Sequence, residues 1–216
     1  GSGGPYHSSS VESVLTNSRG IKIAYPSNGA DLKGLMKSAF HDPNPVVMLE
    51  HKGLYWSKIK GTEEAKTIEP SDDYVIPFGK ARQVQSADEE AIENGTSAVV
   101  ITCGRGVYWS KTASKSFEGR IEIIDLRTLA PWDTEMVLAS VRKTAKVLIV
   151  HEDIAFGGFG AEIAATIADE ALMDLDAPVK RVAAPSVPVP FSQELMAGVV
   201  PTVAKIQAEM AALIAY

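Results

Sequence analysis

The chain has 216 residues, 45% of them hydrophobic, and a mean hydropathy of +0.02, which suits a globular fold large enough for more than one folding unit. Its formal charge of −6 and pI of about 5.3 exclude a dedicated nucleic-acid binder, because phosphate contacts need clustered Lys and Arg. The single cysteine, Cys103, excludes an internal disulfide and a thiolate zinc site, and no stretch reads as a membrane span or signal peptide, so a cytoplasmic setting is expected.

Residues 1–10, with Pro5, Tyr6, His7 and the run Ser8-Ser9-Ser10, read as a turn-rich loop of a longer product, since the chain starts Gly1-Ser2-Gly3-Gly4 without Met. A short strand over 21–25 stops at Pro26. Asn28 then caps a helix, with Asp31 three residues on, that carries Leu32, Leu35, Met36 and Ala39 and ends before Pro43. Val46 to Leu49 form a second strand, so the first segment is β-α-β. Residues 51–73 are polar without a persistent period and read as a linker.

From residue 74 the pattern becomes regular. One or two edge strands fit 74–85, since Pro77 argues against a central position. Strands over 98–102, 121–125, 147–150 and 179–182 alternate with helices over 107–117, 134–143 and 161–175, which predicts a mainly parallel sheet with right-handed crossovers. Asp133 is a cap, with Glu135 in the first turn of its helix and Arg142 and Lys143 in the last. Pro185, Pro188 and Pro190 impose an extended loop, and 203–214 is a final amphipathic helix. The expected class is α/β.

Five places draw attention as sites. Gly157-Gly158-Phe159-Gly160 lies between strand and helix, where a phosphate can sit. It lacks the G-x-G-x-x-G spacing and follows Glu152 and Asp153, so packing or subunit contact is the preferred reading. His151 ends a strand, where α/β folds place functional groups, although a lone histidine there commonly serves structure. His7 among hydroxyls is either a solvated loop residue or a proton-exchanging group. Asp42-Pro43-Asn44 offers oxygens to a hard or monovalent cation, or simply makes a turn. The acidic residues Asp169, Glu170, Asp174 and Asp176 are either a solvated helix face or a dock for a basic partner.

Taken in order, Gly3-Gly-Pro-Tyr-His-Ser8, Tyr25-Pro-Ser27, Asp31-Leu-Lys-Gly-Leu-Met-Lys-Ser38, Asp42-Pro-Asn-Pro45, Ile124-Asp-Leu-Arg-Thr-Leu-Ala-Pro131, His151-Glu152, Gly157-Gly-Phe-Gly-Ala-Glu162 and Pro188-Val-Pro-Phe191 resemble one family. It is the β subunit, or fused β half, of the thiamine-diphosphate-dependent first component of 2-oxo acid dehydrogenase complexes, branched-chain type. The resemblance implies a pyrimidine-binding-domain remnant over 1–50 and a transketolase C-terminal-type domain over 74–216. It implies that His7 faces the cofactor's thiazolium side and helps pass the acyl group to a lipoyl arm. The Ala39 carbonyl, Asp42 and Asn44 match positions that ring a structural potassium ion, and Gly157 to Gly160 match a subunit contact. Implied partners are an α subunit or α half, a lipoyl acyltransferase core and a second copy through the C-terminal domain. Pyruvate and acetoin are the rival substrates of the implied activity.

The family's glutamate that activates the aminopyrimidine ring and its Gly-Asp-Gly…Asn diphosphate motif have no counterpart in the sequence. The chain alone is therefore expected neither to hold thiamine diphosphate and magnesium tightly nor to turn over substrate. The first segment, short of strands, is expected to rest on the second domain by packing or to swap with another copy.

Overall fold

A computed structural model describes residues 3–216, so Gly1 and Ser2 of the expected entry loop lie outside the described residues. The chain forms β1 (Lys22–Ala24), β2 (Val46–Met48), β3 (Arg82–Gln85), β4 (Ala98–Thr102), β5 (Ile121–Asp125), β6 (Thr128–Ala130), β7 (Val147–Ile154) and β8 (Lys180–Ala184). Its helices are α1 (Gly4–His7), α2 (Glu12–Thr16), α3 (Gly29–His41), α4 (Glu89–Glu93), α5 (Gly106–Ser114), α6 (Thr134–Thr144), α7 (Phe159–Glu170), α8 (Gln193–Val199) and α9 (Val203–Ile214). Helix α3 starts as its sequence predicts, with the Asn28 side chain accepting from the Asp31 N–H at 2.9 Å.

The second sheet runs β3-β5-β4-β7-β8, parallel except for antiparallel β3 at one edge. Period-two alternation splits its side chains between two cores. Val99, Ile101, Val147 and Ile149 face α6 and α7, while Ala98, Val100, Leu148 and Val150 face α5 and α9. With apolar layers on both faces, β4 is buried throughout and β7 over 147–151, which is why both read as continuous aliphatic runs.

The first sheet is smaller, in the order β2-β1-β6. Strands β1 and β2 pair in parallel around α3, the expected β-α-β. The third strand, β6, comes from the middle of the second unit and pairs antiparallel with β1. The first segment is thus hydrogen-bonded into the rest of the chain, a firmer attachment than packing alone. Ile76, in the stretch ahead of β3, also packs with Leu35 and Ala24 of the first segment.

Several boundaries differ from expectation for local reasons. The linker folds into two single-turn 3-10 helices, Lys52–Leu54 and Glu63–Ala65, with Thr62 and Ala65 buried. Helix α7 stops at Glu170, and a separate 3-10 turn, Leu172–Asp174, follows. Helices α2, α4 and α8 are too short to show a 3.6-residue period in the sequence. The stretch Gln193–Ile214 is long and apolar enough to cross a membrane by composition. It is nevertheless broken between α8 and α9 at Pro201, and Ile206, Met210 and Leu213 lie in the core.

Candidate active site

Sheet order defines a switch point between β4 and β7, because the chain leaves β4 toward β5 on one side and reaches β7 on the other. In open α/β sheets that crevice commonly takes a ligand. Here the first segment fills it. The Tyr25 ring lies on Gly104, where a Cβ would come 2.7 Å from the ring. The Tyr108 hydroxyl donates to the Ser27 carbonyl at 2.7 Å, and the Ser13 N–H donates to Asp153 Oδ2 at 3.0 Å. Burial pushes the Tyr25 phenol well above its ordinary range, so it stays neutral.

At the rim of this junction a cleft of about 290 Å³ opens, lined among others by His7, Glu12, Tyr25, Glu50, His51 and Glu152. His7 sits at the end of α1 with its side chain exposed, followed by the hydroxyls of Ser8 to Ser10, which also line the cleft. The Gly3 N–H donates to Ser8 Oγ at 2.7 Å, closing the turn that carries His7.

Glu12 begins α2 and is only 4% exposed. Burial, with Asp153 and Glu152 adding repulsion, raises its carboxyl from 4.5 to about 7. Opposite it, His51 Nε2 lies 2.7 Å from Glu152 Oε2. His51 Nδ1 accepts from the Gly53 N–H at 3.0 Å, so Nε2 carries the proton and donates to Glu152. Neither Glu12 nor this pair was found from the sequence. Glu12 follows the hydroxyl run at the start of a helix only five residues long, and His51 and Glu152 are 101 positions apart.

The other expected site residues separate. Asp42 accepts from both the backbone and side-chain nitrogens of Asn44 at 2.9 Å, and its own N–H donates to the Ala39 carbonyl at 3.3 Å. The Lys22 ammonium caps the other carboxylate oxygen and, with the Asn44 bonds, lowers the Asp42 carboxyl to about 2. Ala39, Asp42 and Asn44 do come together, in a turn where Lys22 takes one Asp42 oxygen and Asn44 the other. A potassium ion there would compete with Lys22 for the Asp42 carboxylate.

Within the Gly157 to Gly160 turn, Gly158 and Gly160 are closely packed. A Cβ at Gly158 would lie 1.9 Å from the Ile154 carbonyl, and one at Gly160 would lie 2.3 Å from His151 Nε2. Phe159, expected at a subunit contact, is 8% exposed and meets Trp132 edge-to-face at 6.4 Å, so its ring belongs to the core. The exposed aromatic of this turn is Phe156, at 81%. Gly157 and Gly158 line a groove with Val14 and Trp132, outside the His7 cleft. His151 lies buried beneath them with neither ring nitrogen bonded, and desolvation lowers it from 6.5 to about 4. Asp169, Glu170 and Asp176 are exposed, and Asp174 accepts from Arg142 at 3.3 Å.

Behind the cleft a buried charge network ties the two units. Asp31 meets Arg127 at 3.3 Å and Arg82 at 3.5 Å. Arg82 also reaches Asp125 at 3.4 Å, and Ser27 Oγ donates to Asp125 at 2.5 Å. Burial raises the Asp125 carboxyl from 3.8 to about 6.

Comparison with known proteins places this geometry. Residues 88–206 match the transketolase C-terminal domain, and residues 1–57 match the transketolase pyrimidine binding domain. The chain is 41% identical over 189 residues to the 2-oxoisovalerate dehydrogenase subunit beta of Bacillus subtilis, covering 86% of this chain and 53% of that protein. It is 40% identical over 194 residues to 2-oxoisovalerate dehydrogenase subunit beta 2, mitochondrial, of Arabidopsis thaliana, covering 88% and 50%. To the pyruvate dehydrogenase E1 component subunit beta of Bacillus subtilis it is 38% identical over 190 residues, covering 87% and 54%. The chain thus spans about half the length of the curated relatives it matches. A solved split-gene transketolase, described as an inactive beta4 tetramer, superposes with a TM-score of 0.72 over 94% of this chain and 60% of that one, at 17% identity, a likeness of fold. With its second unit matched across more than half of the chain and its first segment matched to the partner domain, the protein belongs to the transketolase C-terminal domain family.

Proposed function

We propose that the chain is part of the first component of a 2-oxo acid dehydrogenase, of the branched-chain type, and supplies the histidine side of its active site. The observation that carries this is the His7 cleft, which opens where the pyrimidine-binding segment meets the C-terminal domain. The overall reaction is oxidative decarboxylation of a 2-oxo acid, followed by reductive acylation of a lipoyl group. Pyruvate and acetoin are the rival substrates, the first named among the relatives.

The family depends on thiamine diphosphate. Among the described residues no group of three or more His, Cys, Asp or Glu is arranged to hold a metal ion. In this reading the chain alone is inactive.

What this chain's own residues do follows from the cleft. An exposed imidazole on a short turn reaches a visiting lipoyl arm, and opening the dithiolane leaves a thiolate that must gain a proton. His7 gives that proton. Tyr25 closes the cleft floor against water, and the His51 to Glu152 bond fixes its wall. The α subunit or α half and the acyltransferase core are the partners in this reading, and a second copy meets the C-terminal domain.

The test is 2-oxo acid-dependent dye reduction by the full parent product with its α partner, thiamine diphosphate and magnesium. Reduction preferring 3-methyl-2-oxobutanoate over pyruvate and 2-oxoglutarate is expected. A folded, cofactor-loaded complex that reduces dye with none of the three overturns the reading.

A further inference from the structure

Glu12 is a buried carboxyl at the cleft that the proposed reaction leaves unused, and its setting is unusual. It is nine-tenths buried yet lines the same cleft as His7, four residues beyond the turn that carries that histidine. Among the described residues no ion pair neutralises it. Its own helix, α2, holds no basic residue. From β7 it faces the carboxylates of Glu152 and Asp153, with the neutral His151 beyond. Of the segment after β2, Glu50, His51 and Lys52 line the cleft, and His51 is committed to Glu152. Tyr25, just after β1, and Cys103, just after β4, are buried groups that stay uncharged.

We propose that Glu12 is the proton-holding group of the cleft, a positioning residue that passes a proton to His7 through cleft water. The inference rests on the reading of His7 given above. The balance is simple. The Glu12 carboxyl loses its O–H proton and becomes a carboxylate, the His7 imidazole becomes imidazolium, and the imidazolium delivers that proton to the leaving sulfur. Glu12 then recovers a proton from bulk water, so one proton is consumed per acyl group transferred. Burial and the two facing carboxylates keep Glu12 protonated near neutrality, which suits a donor working there. Asp153 sets the strength of the device, because it is fixed to α2 through the Ser13 N–H.

The test needs no turnover. His7 carbethoxylation by diethyl pyrocarbonate, followed by mass spectrometry from pH 5.5 to 8.5, reads the neutral imidazole in the 216-residue chain. Parent and Glu12→Gln profiles are expected to agree at pH 5.5, where Glu12 holds its proton, and to diverge from about pH 7, with His7 reacting faster in the variant at pH 7.5 because no Glu12 carboxylate retains the imidazolium proton. Asp153→Asn keeps an acceptor for Ser13 and is expected to move the onset of that difference toward lower pH. Identical His7 profiles in parent and Asp153→Asn, or in parent and a folded Glu12→Gln, overturn the proposal. Coupling seen here while the parent complex reduces dye with no 2-oxo acid would instead remove the dehydrogenase reading and leave the proton coupling standing.

Discussion

His51 Nε2 donates to Glu152 Oε2 at 2.7 Å, and this bond fastens the segment after β2 to the carboxyl end of β7. It joins the two units at the wall of the His7 cleft, with both side chains largely shielded from water. Replacing Glu152 by Gln keeps an acceptor but removes the charge, and a charge-assisted bond of this kind contributes about 1.5–3 kcal/mol. Glu152→Gln is expected to lower stability by about 1 kcal/mol and His51→Ala by about 2 kcal/mol. A double-mutant cycle by urea unfolding checks this, with coupling indistinguishable from zero the contrary outcome.

The pH dependence of stability carries the mark of Glu12. Its carboxyl is raised from 4.5 in the unfolded chain to about 7 in the fold, so the folded state binds the extra proton. That contribution is complete below pH 4.5 and is lost as pH rises through 7. The shift corresponds to about 3 kcal/mol. Glu12→Gln therefore gains on the parent progressively from pH 5 to pH 8 in thermal unfolding; a constant difference across that range would contradict the burial argument.

His151 acts on the acid side. Its imidazole is lowered from 6.5 to about 4 by burial beneath the Gly158 turn, so the fold prefers the neutral ring. This contribution is present above pH 6.5 and is lost as pH falls toward 4. His151→Gln, which cannot charge, is expected to flatten the fall in stability between pH 6.5 and 4, while costing packing at every pH. A variant whose acid limb parallels the parent's would refute it.

The Asp31 to Arg127 pair lies between the two units with both side chains mostly buried. Removing one partner strands a carboxylate already close to Arg82, and breaking a buried pair in this way costs about 3–5 kcal/mol. Arg127→Ala is expected to approach that loss and to loosen the first sheet in hydrogen exchange at β1. Arg127→Lys keeps the charge without the fork that also reaches the Lys80 and Ala81 carbonyls, and recovers only part of it.

Lys22 on Asp42 gives an ionic prediction. With the carboxylate already neutralised, exchanging potassium for sodium at constant ionic strength leaves the melting temperature of the chain unchanged. A potassium-specific rise would restore the ion ring at Ala39, Asp42 and Asn44.

Much of the fold was legible because both cores obey simple periods. The aliphatic runs of β4 and β7 announced strands covered on both faces, and Asn28 and Asp133 announced two helix starts that the structure keeps. Strand β6 was not legible: three residues close behind β5 look like its continuation, and only pairing with β1 makes them a strand of the other sheet. The site was legible only in part. His7 stood out by its hydroxyl neighbours, but Glu12 acquires its character from Asp153 and Glu152, far along the chain, which no local pattern carries. That Phe159 rather than Phe156 turns inward was not legible, because the ring it meets, Trp132, lies far away in sequence.

The measurement that tests the central claim most directly is acyl transfer to a lipoyl domain by the assembled parent complex carrying His7→Ala, set beside dye reduction by the same preparation. If His7 serves the lipoyl arm, dye reduction with 3-methyl-2-oxobutanoate stays within a few-fold of the parent while lipoyl acylation falls by roughly 10²–10⁴-fold, the usual worth of a positioned proton donor. Lipoyl acylation surviving at the parent rate in the variant would contradict the account.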